Sequence, residues 1–107
     1  MEIVKTEIEG LLIIKPKVFE DERGYFYESY NEQAYQQNGI AMNFVQDNQS
    51  KSKRGVLRGL HFQNPPFAQG KLIRVLSGCV FDVAVDIRKD SETYGQWHSV
   101  ILSEDNK

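Results

Sequence analysis

The chain has 107 residues, 40% of them hydrophobic and 26% charged, with a formal net charge of −2; this fits a single domain over 1–107 and leaves no room for a second. The acidic balance argues against nucleic acid as a partner, and the longest aliphatic run, Leu11-Leu12-Ile13-Ile14, is too short for a signal segment or a membrane span. A soluble cytoplasmic protein with no membrane partner is expected, and the lone Cys79 excludes an intrachain disulfide and suits a reducing compartment.

Short segments alternating with a period of two, separated by Gly, Pro, Asn and Asp clusters, run through most of the sequence, the pattern of an all-β sandwich or barrel. In chain order the predicted strands are Glu2–Lys5, Leu11–Pro16, Tyr25–Ser29, Ala41–Gln46, Val56–Phe62, Lys71–Leu76, Val80–Arg88 and Gln96–Leu102. One short helix interrupts them, between an Asn31 N-cap and an Asn38-Gly39 stop. Ser103-Glu104-Asp105-Asn106-Lys107 resembles a turn leading to another strand, so the barrel is expected to be incomplete at its C-terminal end, with an uncovered sheet edge.

Asp21-Glu22-Arg23-Gly24 reads as a turn entering a strand on which Phe26 and Glu28 share one face and Tyr25 and Tyr27 the other. An aromatic ring beside an acceptor can stack on a base and accept its N–H groups, although alternating aromatics are more often plain core. The cationic loop Ser50-Lys51-Ser52-Lys53-Arg54 could hold phosphate but reads rather as a solvated connection. Arg58 and His61, three apart, would face opposite sides of a regular strand unless Gly59 bulges or twists it. Lys71 opens a predicted hairpin ending at Asp86, with its turn near Gly78, which puts Lys71 on the face that carries Asp82 and Asp86. One of these aspartates could hold the buried lysine charged, and the bland alternative is a structural ion pair.

Gly55, His61 and Gly78 fit part of an altered cupin barrel motif, in which Gln63 stands where a second histidine belongs and Lys71 where a glutamate belongs. A divalent ion needs neutral imidazoles and carboxylates, so no metal is expected; a histidine with a cation suits proton removal beside a ketone, one taking the proton and the other stabilising the enolate. Together with Glu22–Glu28, Gln46-Asp47-Asn48, Ser52–Gln63, Gln69–Val75 and Gly78–Arg88, the chain resembles the dTDP-4-dehydrorhamnose 3,5-epimerases, over about the first three-fifths of a typical member.

That resemblance implies a cupin-type double-stranded β-helix, or jelly-roll barrel, and a cofactor-independent isomerase that converts dTDP-4-dehydro-6-deoxy-D-glucose to dTDP-4-dehydro-L-rhamnose by epimerisation at C3 and C5. By the same resemblance His61 is the base, Lys71 steadies the enolate, and Arg58 contacts the diphosphate or sugar. Arg23, Phe26, Glu28, Gln46, Asp47 and Asn48 hold the nucleotide, with Asp82 supporting Lys71. A homodimer is implied, with Arg23, Phe26 and Glu28 reaching into a neighbouring subunit's site. The family's tyrosine proton donor and histidine-orienting aspartate come from a later part of the barrel. The competing readings are a single-site epimerase or ketoisomerase of dTDP-4-keto sugars, a non-catalytic nucleotide-sugar-binding cupin, and a metal-dependent cupin oxygenase.

Overall fold

The computed structural model describes all residues from Met1 to Lys107 as three antiparallel hairpins and one short helix. The first hairpin pairs β1 (Glu2–Lys5) with β2 (Leu12–Lys15) in the register Ile3↔Ile14 and Val4↔Ile13. Its turn is organised by Thr6, whose hydroxyl donates to the Leu11 carbonyl at 2.9 Å and accepts the Ile8 N–H at 3.2 Å, and Ile8 is buried beneath it. A side-chain hydroxyl bonding two residues on is a local substitute for ladder pairing.

The second hairpin pairs β3 (Val18–Asp21) with β4 (Gly24–Tyr27), Phe19 opposite Phe26 and Asp21 opposite Gly24. Neither Glu22 nor Arg23 at its tip has a positive φ; Gly24 takes φ 129 instead, a conformation that only glycine adopts cheaply. Helix α1 (Glu32–Gln37) follows. The Asn31 side chain caps it, accepting the Ala34 N–H at 3.0 Å and so satisfying one of the free donors of the first turn. On its inner side Tyr35 is buried, and the Ile40 N–H donates to the Tyr35 carbonyl at 2.9 Å, which seats Ile40 in the same small core.

Residues 41–78 form no strand or helix. The strands expected at Ala41–Gln46, Val56–Phe62 and Lys71–Leu76 therefore carry extended-type sequence without a ladder, because no neighbouring segment supplies the N–H and C=O groups that pairing requires. The third hairpin is the longest: β5 (Cys79–Val85) pairs with β6 (Trp97–Ser103), Asp82 opposite Val100 and Ala84 opposite His98. Two contacts tie the hairpins together, His98 Nδ1 to Glu7 Oε2 at 3.0 Å and the Lys107 ammonium 3.6 Å from the centre of the Tyr25 ring.

The assembly is open. Only 4 of 107 residues are buried, and the accessible surface of 9480 Å² is roughly one and a half times what a compact chain of 12.3 kDa exposes. The 31 backbone hydrogen bonds compare with about 70 for a compact domain of this length. Phe81, Trp97 and Ile101 lie on one face of the third hairpin, each more than half exposed. Apolar surface of this kind calls for a cover.

Candidate active site

The expected site residues fall into two groups. The first is on the second hairpin and the helix behind it. Phe26 and Glu28, with Phe19, Ala34 and Tyr35, line a hollow of about 270 Å³. The expected facing of β4 holds, since Tyr25 and Tyr27 meet on the opposite side with ring centres 6.0 Å apart. Phe26 is 70% exposed, and its cross-strand partner Phe19 carries the Lys17 ammonium 5.0 Å over its ring. Burial raises the phenol pKa of Tyr35, helped by the neighbouring Tyr30, and the two rings meet edge to face at 5.0 Å. An exposed aromatic face, a carboxylate and a nearby ammonium thus border one concavity.

Arg23 stands at the hairpin tip, held by Asp21 through NH2 at 2.5 Å and Nε at 3.1 Å. That pairing lowers the carboxyl of Asp21 below its ordinary pKa and raises the guanidinium of Arg23.

The second group lies along 46–71. Gln46 Nε2 donates to Asn48 Oδ1 at 3.1 Å, across Asp47. Arg58 Nε donates to Ser52 Oγ at 2.9 Å and its NH2 to the Lys51 carbonyl at 3.2 Å. The loop is exposed as expected of a solvated connection, and it also supplies the two acceptors that orient Arg58. Gly59 takes φ 122, and outside a regular strand the alternation argument about Arg58 and His61 does not apply. His61 and Lys71 are both exposed. A Cβ on Gly70 would overlap the Met42 sulfur, so the chain just before Lys71 runs against the segment at Met42.

The Lys71–Asp86 hairpin is not formed. Lys71 makes no ion pair, Asp82 sits half-buried on β5, and the strand beside β5 is β6. The reason is a contact distant in sequence. Gly78, at φ 79, donates its N–H to Glu104 Oε1 at 2.9 Å and accepts the Glu104 N–H at 3.0 Å; this closes the ends of β5 and β6 on each other and makes β6 the neighbour of β5.

Asp86 is engaged elsewhere. Its buried carboxylate accepts from Arg88 Nε at 2.9 Å, Arg88 NH2 at 2.8 Å, Ser91 Oγ at 2.6 Å and Thr93 Oγ1 at 2.7 Å. The guanidinium foremost, then the two hydroxyls, hold the carboxyl far below the usual carboxylate range. The sequence reading missed this cluster; its signal is an Asp-x-Arg followed by two hydroxyl residues in a turn-rich loop.

Comparison with known proteins decides the family. The sequence profile described as dTDP-4-dehydrorhamnose 3,5-epimerase matches residues 5–107. The chain belongs to the dTDP-4-dehydrorhamnose 3,5-epimerase family. It is 60% identical over 108 residues to the Salmonella typhimurium dTDP-4-dehydrorhamnose 3,5-epimerase, covering all of this chain and 59% of that one. The fold superposes on the Bacillus anthracis family member solved with TDP and PPi bound, with a TM-score of 0.94 at 46% identity, over 98% of this chain and 61% of that one. A Legionella pneumophila member in complex with dTDP-4-keto-L-rhamnose matches with a TM-score of 0.92 at 57% identity, over 99% of this chain and 56% of that one. The fold class is accordingly the cupin-type jelly roll of this family, all-β with one short helix. The chain spans about three-fifths of the length of the relatives it matches.

Proposed function

We propose that the protein epimerises C3 and C5 of dTDP-4-dehydro-6-deoxy-D-glucose to give dTDP-4-dehydro-L-rhamnose, a step in the biosynthesis of dTDP-rhamnose, and that residues 1–107 form part of a single cupin-like domain. The observation that carries this reading is the superposition on a family member holding dTDP-4-keto-L-rhamnose, joined to a chain that contains His61 and Lys71 in the altered cupin pattern.

The substrate's own C4 ketone acidifies the C–H bonds on either side, so the chemistry asks the protein for a base and a cation and for no cofactor. His61 removes the protons at C5 and C3 in turn, the Lys71 ammonium stabilises the negative charge that develops on the C4 oxygen, and a proton returned to the opposite face of each enolate completes the inversion. Arg58, oriented by Ser52 and Lys51, is placed to meet the diphosphate or sugar. Phe26 supplies a stacking face and Glu28 an acceptor for the pyrimidine, with Arg23, Gln46, Asp47 and Asn48 completing the nucleotide site. Asp82, half-buried on β5 and without an ion pair to Lys71 in this structure, is assigned a supporting role only.

The protein works in the cytoplasm as a homodimer, and the exposed Phe81, Trp97 and Ile101 face is consistent with surface that assembly covers. The test uses the full-length protein in deuterium oxide. Deuterium should enter the substrate at C5 and then C3, and His61→Asn should abolish this while dTDP still binds. Incorporation by His61→Asn at the wild-type rate would remove His61 from the mechanism, and nucleotide binding by the wild type with no incorporation would leave a binding cupin instead.

A further inference from the structure

We propose that Asp21 is a positioning residue that holds the Arg23 guanidinium in the orientation that receives the anionic diphosphate of the nucleotide. The proposal rests on the nucleotide site assigned above. Arg23 sits at the tip of an exposed hairpin, where a long side chain would ordinarily sample many rotamers. Asp21 removes that freedom. Its Oδ1 accepts the Arg23 backbone N–H at 2.9 Å, which shapes the turn, and also meets Nε at 3.3 Å; its Oδ2 accepts from Nε at 3.1 Å and from NH2 at 2.5 Å. One carboxylate therefore fixes both the backbone from which the arginine departs and the plane of its guanidinium, in the bidentate arrangement that the planar fork favours.

The pairing engages the Nε side of the fork and leaves the NH1 donors without a partner in the chain, while the Arg23 side chain is 89% exposed. An exposed ion pair contributes little to stability, so stability gives no adequate account of this geometry. Preorganisation does, because ordering a rotamer-rich side chain beforehand removes that cost from ligand binding. Gly24 completes the arrangement by taking φ 129, with open space where a Cβ would stand; it is the backbone conformation and not crowding that calls for glycine.

Charge and positioning predict opposite signs, which makes the test sharp. Asp21→Asn removes a negative charge beside an anion site and so would tighten dTDP binding if only the Coulomb effect mattered. The amide oxygen of Asn can still accept the Arg23 N–H, so the turn is retained while the two-oxygen grip on the guanidinium is lost. Calorimetric titration of the full-length protein should show dTDP bound about three- to tenfold more weakly by Asp21→Asn, the scale of one freed side chain, with thymidine affinity unchanged and Asp21→Glu restoring part of the loss. Inorganic pyrophosphate, titrated separately, should show the same loss, which assigns the effect to the diphosphate and not to the base. Equal or tighter dTDP binding by Asp21→Asn would overturn the proposal, and so would an undiminished effect of Asp21→Asn in an Arg23→Ala background. If Arg23→Ala alone leaves dTDP affinity unchanged, it is the nucleotide role of Arg23 that fails.

Discussion

Tyr35 anchors the small core behind the hollow lined by Phe26 and Glu28, and truncating it offers the most direct measure of how that hollow is held. The residue is only 5% exposed, and its ring stacks edge to face on Tyr30 at 5.0 Å. A buried tyrosine withdraws roughly 150–250 Å² from water; at about 25 cal/mol per Å² of the apolar part, less what alanine itself would bury, this is about 3 kcal/mol. The edge-to-face contact adds about 1 kcal/mol. The hydroxyl reaches the Ser29 carbonyl only at 3.4 Å, too long for a strong bond, so it contributes little. Tyr35→Ala should therefore cost about 4 kcal/mol and Tyr35→Phe less than about 0.5 kcal/mol. Urea unfolding followed by circular dichroism reads both variants. Because Tyr35 also lines the hollow with Phe26 and Glu28, the alanine variant should weaken dTDP binding and the phenylalanine variant should not. A loss below about 1 kcal/mol for Tyr35→Ala, or a Tyr35→Phe loss of comparable size, would refute the assignment of the ring as the centre of this core.

Lys71→Met keeps most of the side-chain length and removes the charge; turnover of the full-length protein should fall by about two to three powers of ten, the scale of losing one electrostatic stabiliser, and retained turnover with a lower melting temperature would make Lys71 a structural residue. Gly59→Ala forces a Cβ into φ 122, where the nearest atom, the His61 backbone nitrogen, is still 3.7 Å away; the cost of about 1–3 kcal/mol is thus backbone strain, measurable by denaturant titration, and a neutral substitution would contradict it. The Asp86 carboxyl is depressed in the folded state by Arg88, Ser91 and Thr93, so its stabilisation is fully present above the unfolded value of about 3.9 and is lost as pH falls below that towards the folded value. Melting temperatures recorded between about pH 6 and 2 should drop less steeply for Asp86→Asn than for the wild type, and parallel curves would exclude this carboxylate as a source of acid sensitivity.

The elements legible in the sequence are those whose causes are local. Asn31 and the Asn38-Gly39 pair bound the helix because capping needs only the adjacent backbone. The alternation in Glu2–Lys5, Tyr25–Tyr27, Val80–Val85 and Trp97–Leu102 marked strands because period-two patterning is written residue by residue. The family could be read for the same reason, since its pattern runs in order along the chain from Glu22 to Arg88. Pairing was not legible. No strand is predicted at Val18–Asp21, although it forms β3 opposite β4, and the apolar segments between residues 41 and 78 read as strands yet remain without partners. Alternation names the face a side chain takes but not the strand that will lie beside it. The Lys71–Asp86 pairing failed on that point: Glu104, far along the chain, closes on Gly78 and makes β6 the neighbour of β5. The same holds for the site. Residue types proposed the chemistry of His61, Lys71 and Arg58, and the grouping of Arg88, Ser91 and Thr93 around Asp86 is local enough to leave a signal in the spacing, whereas only the tertiary structure brought Phe26 and Tyr35 to one hollow and Glu7 to His98, because contacts between distant segments depend on the path of the backbone through space and not on spacing along it.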